Sequence, residues 1–546
     1  MYTVYQPLIF VNPVDLFGNN TIQYMPGLAQ NWTVSSNGTI VTLNLRNHVN
    51  FSSGDPFNAY QVWLEEYGFY YLSANSSYWW ENYYFFNMSN VNFGPAALAL
   101  INQSGLANPS QQALAVMGNS SWPIYATGPY QIEFRLKSPF NWFTGTLIAW
   151  NGLMYDSQWL LKHGGFGTPT AFNTFFNQNP IPGTGPYLVS QVSELNYVKF
   201  TQNTNYWGEN LSSTVISSQP YLDPGHVKNV IVYYKSDDVA RYTDLSTGAV
   251  QISEIQISDW GLVSTNPVYQ YLSSPSWSGQ VFLMAMNTKV YPTNNTALRQ
   301  AIVHSINFTD LAQKAFLGHI DQYVGPEYPA WKDFYDLGGM APYSYNITLA
   351  KQYLTQANIT NLPALTLTTT SGCATCTAEA EVVQSDLAQI GITVNINVMQ
   401  YTQYVSVYGS YSTNLAGASQ IGQLSFVDAG ESWAPYALTP ADYWLTFVSN
   451  GSLYGNWAIY SNPVVQKCVD SFTSSTNTSY IQSLCTKAQA QIYSDAPYYW
   501  VGVDGLWLPT GGSVVWNKNV IKSFSVDPTF TGASWVPFFN TVTFVQ

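Results

Sequence analysis

The sequence predicts an α/β chain built from at least two domains. At 546 residues it is too long for a single core. Its 46% hydrophobic content is ample for burial, and the chain is not low-complexity. The stretch 41–72, VTLNLRNHVNFSSGDPFNAYQVWLEEYGFYYL, then shows the two kinds of element in succession. Val41, Leu43 and Leu45 alternate with Thr42, Asn44 and Arg46, the period of a half-buried strand. Ser52-Ser53-Gly54-Asp55-Pro56 is turn chemistry. Asn58 is placed to cap a helix, Gln61 to reach back to it, and Phe57 to pack on Val62, a capping box with a hydrophobic staple. The helix is expected over 59–72, which holds no proline and a single glycine, Gly68.

The remaining elements follow in order. Residues 1–10 alternate and predict a strand. A Gln/Ala-rich helix is expected near 111–117, and YQIEFRLKSPF, 130–140, predicts a strand ending at Pro139. In Gly183-Thr184-Gly185-Pro186-Tyr187 the glycines allow a tight backbone path and Pro-Tyr starts a new strand. Strands are expected at 230–234 and at 282–287, FLMAMN, the latter opening a second lobe. Residues 387–394 read as a helix running into a strand.

Charge is sparse. Lys and Arg number 17 and Asp and Glu 30, a formal −13, yet only 9% of residues are charged. The surface is therefore covered mostly by Ser, Thr, Asn, Gln and Tyr. Exposed acids lose their charge near pH values of about 4, so a chain with few of them has little to lose, and this points to an acidic exterior. The bland alternative is a weakly acidic secreted protein. So acidic a chain is a poor nucleic-acid binder. Aromatic residues make up 16%, most of them expected in the core.

Cys468 and Cys485 fall on two helical segments joined by the polar loop 471–479, which predicts a disulfide pinning an antiparallel helix pair. Cys373 and Cys376 form a C-x-x-C. In a reducing cytosol that spacing points to redox or metal chemistry; in an extracellular chain it reads as a local disulfide in a surface loop. Zinc requires a second closely spaced pair, which the other two cysteines do not supply. No cofactor and no metal are expected. N-x-S/T sequons stand at Asn19, Asn31, Asn37, Asn50, Asn75, Asn87, Asn102, Asn119, Asn210, Asn294, Asn307, Asn346, Asn358, Asn450 and Asn477. Their number suggests a glycosylated surface protein carrying N-linked glycans, with Asn31 and Asn307, near apolar runs, the expected exceptions. There is no run of about 18 apolar residues and no basic-then-apolar leader.

The series of motifs resembles the family 5 extracellular solute-binding proteins of ABC importers, the oligopeptide- and dipeptide-binding type, in an archaeal-like, glycosylated form. Leu45-Arg46, Val49, Phe51, Gly54-Asp55-Pro56, Ala59 and Val62 match the family signature, with Gln61 in place of its second Asp. So do Tyr5-Gln6-Pro7-Leu8, Pro26-Gly27-Leu28-Ala29, Gly183 to Tyr187, Asn205-Tyr206-Trp207-Gly208, Leu298-Arg299-Gln300-Ala301, Tyr460-Ser461-Asn462-Pro463 and Asp495-Ala496-Pro497-Tyr498. The matches run in order along nearly the whole chain.

The resemblance implies a two-lobe periplasmic-binding-protein-like fold of type II with a hinged cleft. The implied division is 1–50 and 183–275 in lobe I, 51–182 as a subdomain inserted in lobe I, 276–498 as lobe II, and 499–546 returning to lobe I. The family also has a further stretch before Met1, so an export signal and a membrane anchor or stalk are expected outside this sequence. The implied function is capture of oligopeptides or oligosaccharides in the cleft for delivery to an ABC permease, by an extracellular, cell-surface-associated monomer.

Peptide-binding relatives place a Trp-x-x-Asp carboxylate on the ligand's amino group, and that stretch falls here at Trp433-Ala434-Pro435-Tyr436. Trp433 is kept and Tyr436 holds the Asp position; Asp428, Asp442 or Glu431 could stand in for the carboxylate. Without one, an aromatic cleft suits sugars, which stack on Trp and Tyr. Packing is an equal account of Trp433 and Tyr436, and Trp444, Tyr401 and Tyr404 read as core more than site. Two other classes compete, an envelope structural glycoprotein and a secreted hydrolase. Against the hydrolase, none of the five histidines has metal spacing, and there is no nucleophile elbow or P-loop. Glu65-Glu66 and Asp237-Asp238 read as solvated positions rather than a glycosidase pair.

Overall fold

The computed structural model describes residues 3–11, 22–72, 85–148, 152–168, 171–235, 237–272, 281–327, 329, 331–371, 373–411, 422–426, 432–433, 439–448, 456–503, 512–525 and 538–545. The chain opens with β1 (Ile9–Val11), paired antiparallel with β2 (Tyr24–Pro26). The strand expected over 1–10 is thus confined to its end. Thr3 and Val4 instead offer their carbonyls to Tyr187 N and Gly185 N, both at 2.9 Å. A Cβ on Gly183 would sit 2.0 Å from Val4 O, and one on Gly185 2.3 Å from Thr3 O, so both glycines are required by this close backbone approach.

β3 (Ala29–Val34) and β4 (Ile40–Leu45) form a hairpin, and β4 alternates buried and half-buried as its sequence predicts. The expected helix follows as α1 (Ala59–Leu72). Asn58 Oδ1 accepts from Tyr60 N and Gln61 N at 3.0 and 3.1 Å. Gln61 does not reach back to the cap; its amide turns to Asp156 Oδ1 at 3.4 Å, because the helix start is buried and that carboxylate faces it. α2 (Gln111–Met117) matches its expected span. β5 (Ile124–Gly128) and β6 (Gln131–Arg135) complete a four-stranded antiparallel sheet in the order β3-β4-β6-β5, which draws strands from both sides of residue 50. β6 stops at Arg135, short of Pro139, where Leu136 N leaves the ladder for Thr39 O.

A small hairpin joins β7 (Gly167–Thr168) and β8 (Ala171–Phe172). β9 (Tyr187–Ser193) starts where Pro-Tyr predicts and forms an antiparallel sheet with β10 (Tyr197–Gln202) and β11 (Asn229–Tyr233). β12 (Ile252–Gln256) and β13 (Tyr269–Tyr271) flank a strand that arrives from the far end of the chain.

The second lobe is built on a six-stranded mixed sheet. Its centre is β14 (Val281–Met286), buried at every residue. α3 (Thr296–Ser305) and α4 (Phe308–Phe316) follow it. β15 (Leu365–Thr370), α5 (Ala374–Ala388) and β16 (Val394–Met399) make a parallel β-α-β unit, followed by α6 (Tyr401–Tyr411). β17 (Leu424–Phe426) runs parallel to β15, and β18 (Ser432–Trp433) pairs with β14.

Then come α7 (Asp442–Val448), α8 (Pro463–Ser471) and α9 (Thr478–Asp495). The Cys468–Cys485 disulfide ties α8 to α9 as expected, with both sulfurs in the core. β19 (Tyr498–Val503) pairs with β14, and β20 (Gly512–Asn517) lies between β12 and β13 in the first lobe. β21 (Ile521–Ser523) and β22 (Thr543–Phe544) close the chain. Among the described residues no helix is long and apolar enough to cross a membrane.

Candidate functional site

Strand direction locates the edge of the second lobe that faces the first. β14 enters from the first lobe at Val281, β19 leaves toward it after Val503, and these two residues are register partners. β17 is antiparallel to β14, with Met284 opposite Phe426, so its carboxyl end points back to that entry. β15 and β16 run parallel to β17. The carboxyl ends of β15, β16 and β17 therefore share the interlobe edge, the edge at which open α/β sheets take their ligands.

Three connections leave that edge. β17 leads into the interval that holds Asp428. There the chain advances six residues, from Phe426 to Ser432, while β14 advances two, from Met284 to Phe282. Asp428, Glu431 and Tyr436 lie outside the described residues. Trp433 pairs through its backbone with Val281, which puts it at the same edge. β16 leads to α6, whose first residue, Tyr401, is 55% exposed, and Tyr404 one turn on is buried with its hydroxyl donating to Phe426 O. β15 leads through Ser371, whose N–H bonds Met399 O at 2.8 Å, to the Cys373–Cys376 disulfide.

That disulfide does not sit in a surface loop as expected. Cys373 is the N-cap of α5, because the residues after it helix at once beside the parallel strand pair. α5 also packs on the turn Ile257–Asp259, which continues β12 in the first lobe. Asp442 is fully buried in the first turn of α7, a helix enclosed at all seven positions. Trp444, beside it, is core.

Glu65 and Glu66 contradict the solvated reading. They are 1% and 4% exposed, since α1 is buried continuously from Ala59 to Gly68. Glu65 Oε2 accepts from Tyr155 N at 3.2 Å. Burial pushes the Glu65 carboxyl well above its usual range, with Tyr155 N–H pulling the other way and Glu66 adding to the rise. Burial alone lifts Glu66 to about 8. The signal for this burial is that α1 is apolar all round, the pattern of a helix enclosed on every side, which reading the acidic pair apart from its helix overlooks. Asp237 and Asp238 match expectation: one caps a helix through Ala240 N at 2.7 Å, the other pairs with Arg241. Among the described residues no group of three or more His, Cys, Asp or Glu is placed to hold a metal ion.

Residues 23–452 match the model of the bacterial extracellular solute-binding proteins, family 5. The chain belongs to that family. This family 5 protein is 26% identical over 393 residues to the nickel-binding periplasmic protein of Escherichia coli, a match covering 68% of the chain and 62% of that relative's length. It is 24% identical over 496 residues to the glutathione-binding protein GsiB of Pectobacterium atrosepticum, covering 90% and 82%. Its fold is that of the dipeptide-binding protein of Pseudoalteromonas sp. SM9913 solved with Met-Leu: TM-score 0.70 at 17% identity, over 100% of this chain and 94% of that one. The two-lobe α/β architecture implied by the sequence motifs is thereby shown.

Proposed function

We propose that this protein captures short peptides in the interlobe cleft outside the cell and hands them to an ABC permease. The observation that carries the reading is the family match over residues 23–452, together with a fold shared end to end with a protein solved around a dipeptide. Asp428 is the proposed partner of the peptide amino group, because it follows the carboxyl end of β17 directly. Asp442 is the lesser candidate, being enclosed within α7. Trp433 and Tyr436 are proposed to flank the ligand. Closure of the lobes over it is a hinge motion, favoured by contacts made only in the closed state. The protein works at the cell surface as a monomer and carries N-linked glycans.

Native mass spectrometry of protein taken from its native surface, before and after mild unfolding, tests this. A released ladder of peptide masses is expected, and Asp428→Asn is expected to weaken rebinding of such peptides at least about tenfold, the cost of about 1.4 kcal/mol. Released hexose oligomers would replace the peptide reading with stacking at Trp433. A released nickel complex or glutathione would align the ligand with that of one of the relatives. An empty cleft, with no thermal shift from any of these ligands, would leave the envelope structural role.

A further inference from the structure

We propose that Cys373–Cys376 is a thiol–disulfide exchange site at the interlobe edge, taking small thiols or cysteine-containing peptides as substrate, with Cys373 as the exchanging sulfur.

The two disulfides of this chain differ in kind. Cys468 and Cys485 are both fully buried between α8 and α9, 17 residues apart in sequence, where only unfolding exposes them. Cys373 and Cys376 are three residues apart, and their burial is asymmetric: Cys376 lies in the core and Cys373 is half-buried at the head of α5. A thiolate arriving from solvent therefore meets the Cys373 sulfur first.

The surroundings favour the reduced form of that sulfur. Cys376 N–H donates to Cys373 Sγ at 3.2 Å, so Cys373 caps the helix with its own sulfur. α5 runs 15 residues, and the positive end of its dipole falls on Cys373. Cysteines at helix N-termini titrate well below the free value of about 8.5, and a stabilised thiolate makes its disulfide easier to reduce. The C-x-x-C follows one strand, β15, and heads the helix that leads to its parallel neighbour, β16. Glu379, three residues past Cys376 on the same helix face, is fully buried. The site stands at the carboxyl edge of β15, next to β17, whose end leads into the proposed ligand interval.

The exchange balances without a further reagent. A substrate thiolate attacks Cys373 Sγ; the Cys373–Cys376 bond breaks, and Cys376 leaves as a thiolate that takes a proton. A second substrate thiolate attacks the substrate sulfur of the mixed disulfide and releases the Cys373 thiolate. Two substrate thiols are oxidised to one disulfide, and the protein disulfide is reduced to a dithiol.

The test uses the intact folded chain in reduced and oxidised glutathione mixtures at neutral pH, with alkylation and peptide mass spectrometry. Cys373 and Cys376 are expected to be alkylated at reductant levels that leave Cys468–Cys485 closed, with the circular dichroism unchanged. Cys376→Ser is expected to hold a glutathione adduct on Cys373, and the reduced Cys373 to alkylate with a midpoint at least about one pH unit below that of a free thiol. Opening of both disulfides together, opening only with unfolding, or an ordinary thiol midpoint at Cys373 would overturn the proposal. The wild-type alkylation pattern decides even if the serine variant does not fold. Because the readout is the covalent state of Cys373 and Cys376 and not ligand binding, failure here leaves the peptide reading untouched, and the reverse also holds.

Discussion

Trp207 donates its indole Nε1–H to Gln6 Oε1 at 2.8 Å, and the same Gln6 amide donates to Tyr206 OH at 2.7 Å, across 200 residues of sequence. Arg46 completes the cluster, its guanidinium 5.1 Å from the Trp207 ring centre and its Nε on Gly27 O at 2.7 Å. Four of the family motifs therefore meet inside the first lobe. Gln6→Leu is expected to leave one buried donor, the Trp207 indole, and one buried acceptor, the Tyr206 hydroxyl oxygen, unpaired, at about 1–3 kcal/mol each. Urea unfolding should show that loss while ligand affinity in the folded fraction stays unchanged. An equal fall in affinity would place these motifs in ligand binding instead.

The same logic governs the second lobe. Asp495 accepts from Tyr460 OH at 2.6 Å, Asn462 Nδ2 at 2.9 Å and Gln491 Nε2 at 3.1 Å, while its backbone carbonyl takes Arg299 Nε at 2.9 Å. Asp495→Ala is expected to cost about 2–3 kcal/mol, since bonds to a charged group are the stronger kind. Asp495→Asn should recover part of it, because one oxygen still accepts. An alanine variant with wild-type stability would show the cluster to be incidental.

These two clusters explain what was legible in the sequence. Motifs that fix packing, such as Gly183 against Val4 or Asn58 at the head of α1, report local and pairwise constraints that a residue pattern carries. α1, α2 and the start of β9 could be placed for that reason. The proposed ligand residues are a different matter. Trp433 reaches the interlobe edge through its pairing with Val281 on β14, a tertiary register that no local period encodes. The burial of Glu65 and Glu66 is legible only when α1 is read as a whole, because its apolar residues run all round the helix.

Removing the Cys468–Cys485 bridge by replacing both cysteines with alanine is expected to lower stability by about 3 kcal/mol in the loop-entropy model. The two helices bury Val465, Val469, Ile481 and Leu484 without its help. The lobe should therefore still fold, with a lower midpoint in urea. Loss of folding altogether would mean that the helix pair depends on the bridge.

Sequon occupancy should follow side-chain engagement. Asn37, Asn87 and Asn119 each accept at Oδ1 from the hydroxyl two residues on, at 2.9, 2.8 and 2.8 Å, a bond made without Nδ2. Asn31 is exposed at the strand surface, with Asn44 Nδ2 donating to it at 2.6 Å. Asn307 is half-buried, caps α4 through Thr309 N and Asp310 N, and gives its own N–H to Asp386 at 2.8 Å. Glycopeptide mapping of native protein is expected to find Asn37 and Asn87 occupied and Asn307 bare. A glycan on Asn307 would mean modification before folding sets the cap.

The buried pair on α1 gives the chain a definite pH response. Burial raises the Glu65 and Glu66 carboxyls in the folded chain while they are ordinary when unfolded, and Tyr5, Tyr155 and Tyr67 are the ionisable groups that their charge would raise in turn. Below about pH 4 both states hold the protons, and the pair contributes its full stability. As pH rises further, only the unfolded state releases them, so stability falls until the folded carboxyl titrates, near 8 for Glu66. The slope approaches about 1.4 kcal/mol per pH unit for each carboxyl. Opposing it are surface pairs such as Lys162–Asp55 and Lys314–Asp310, exposed enough to contribute about 0–1 kcal/mol each. The burial term wins, so the protein is expected to melt higher at pH 4 than at pH 8. Glu66→Gln keeps the shape without the titration and should flatten that slope while raising stability at pH 8. A wild-type stability that climbs from pH 4 to pH 8, or a variant with an unchanged slope, would remove this pair as the cause and weaken the case for an acidic exterior.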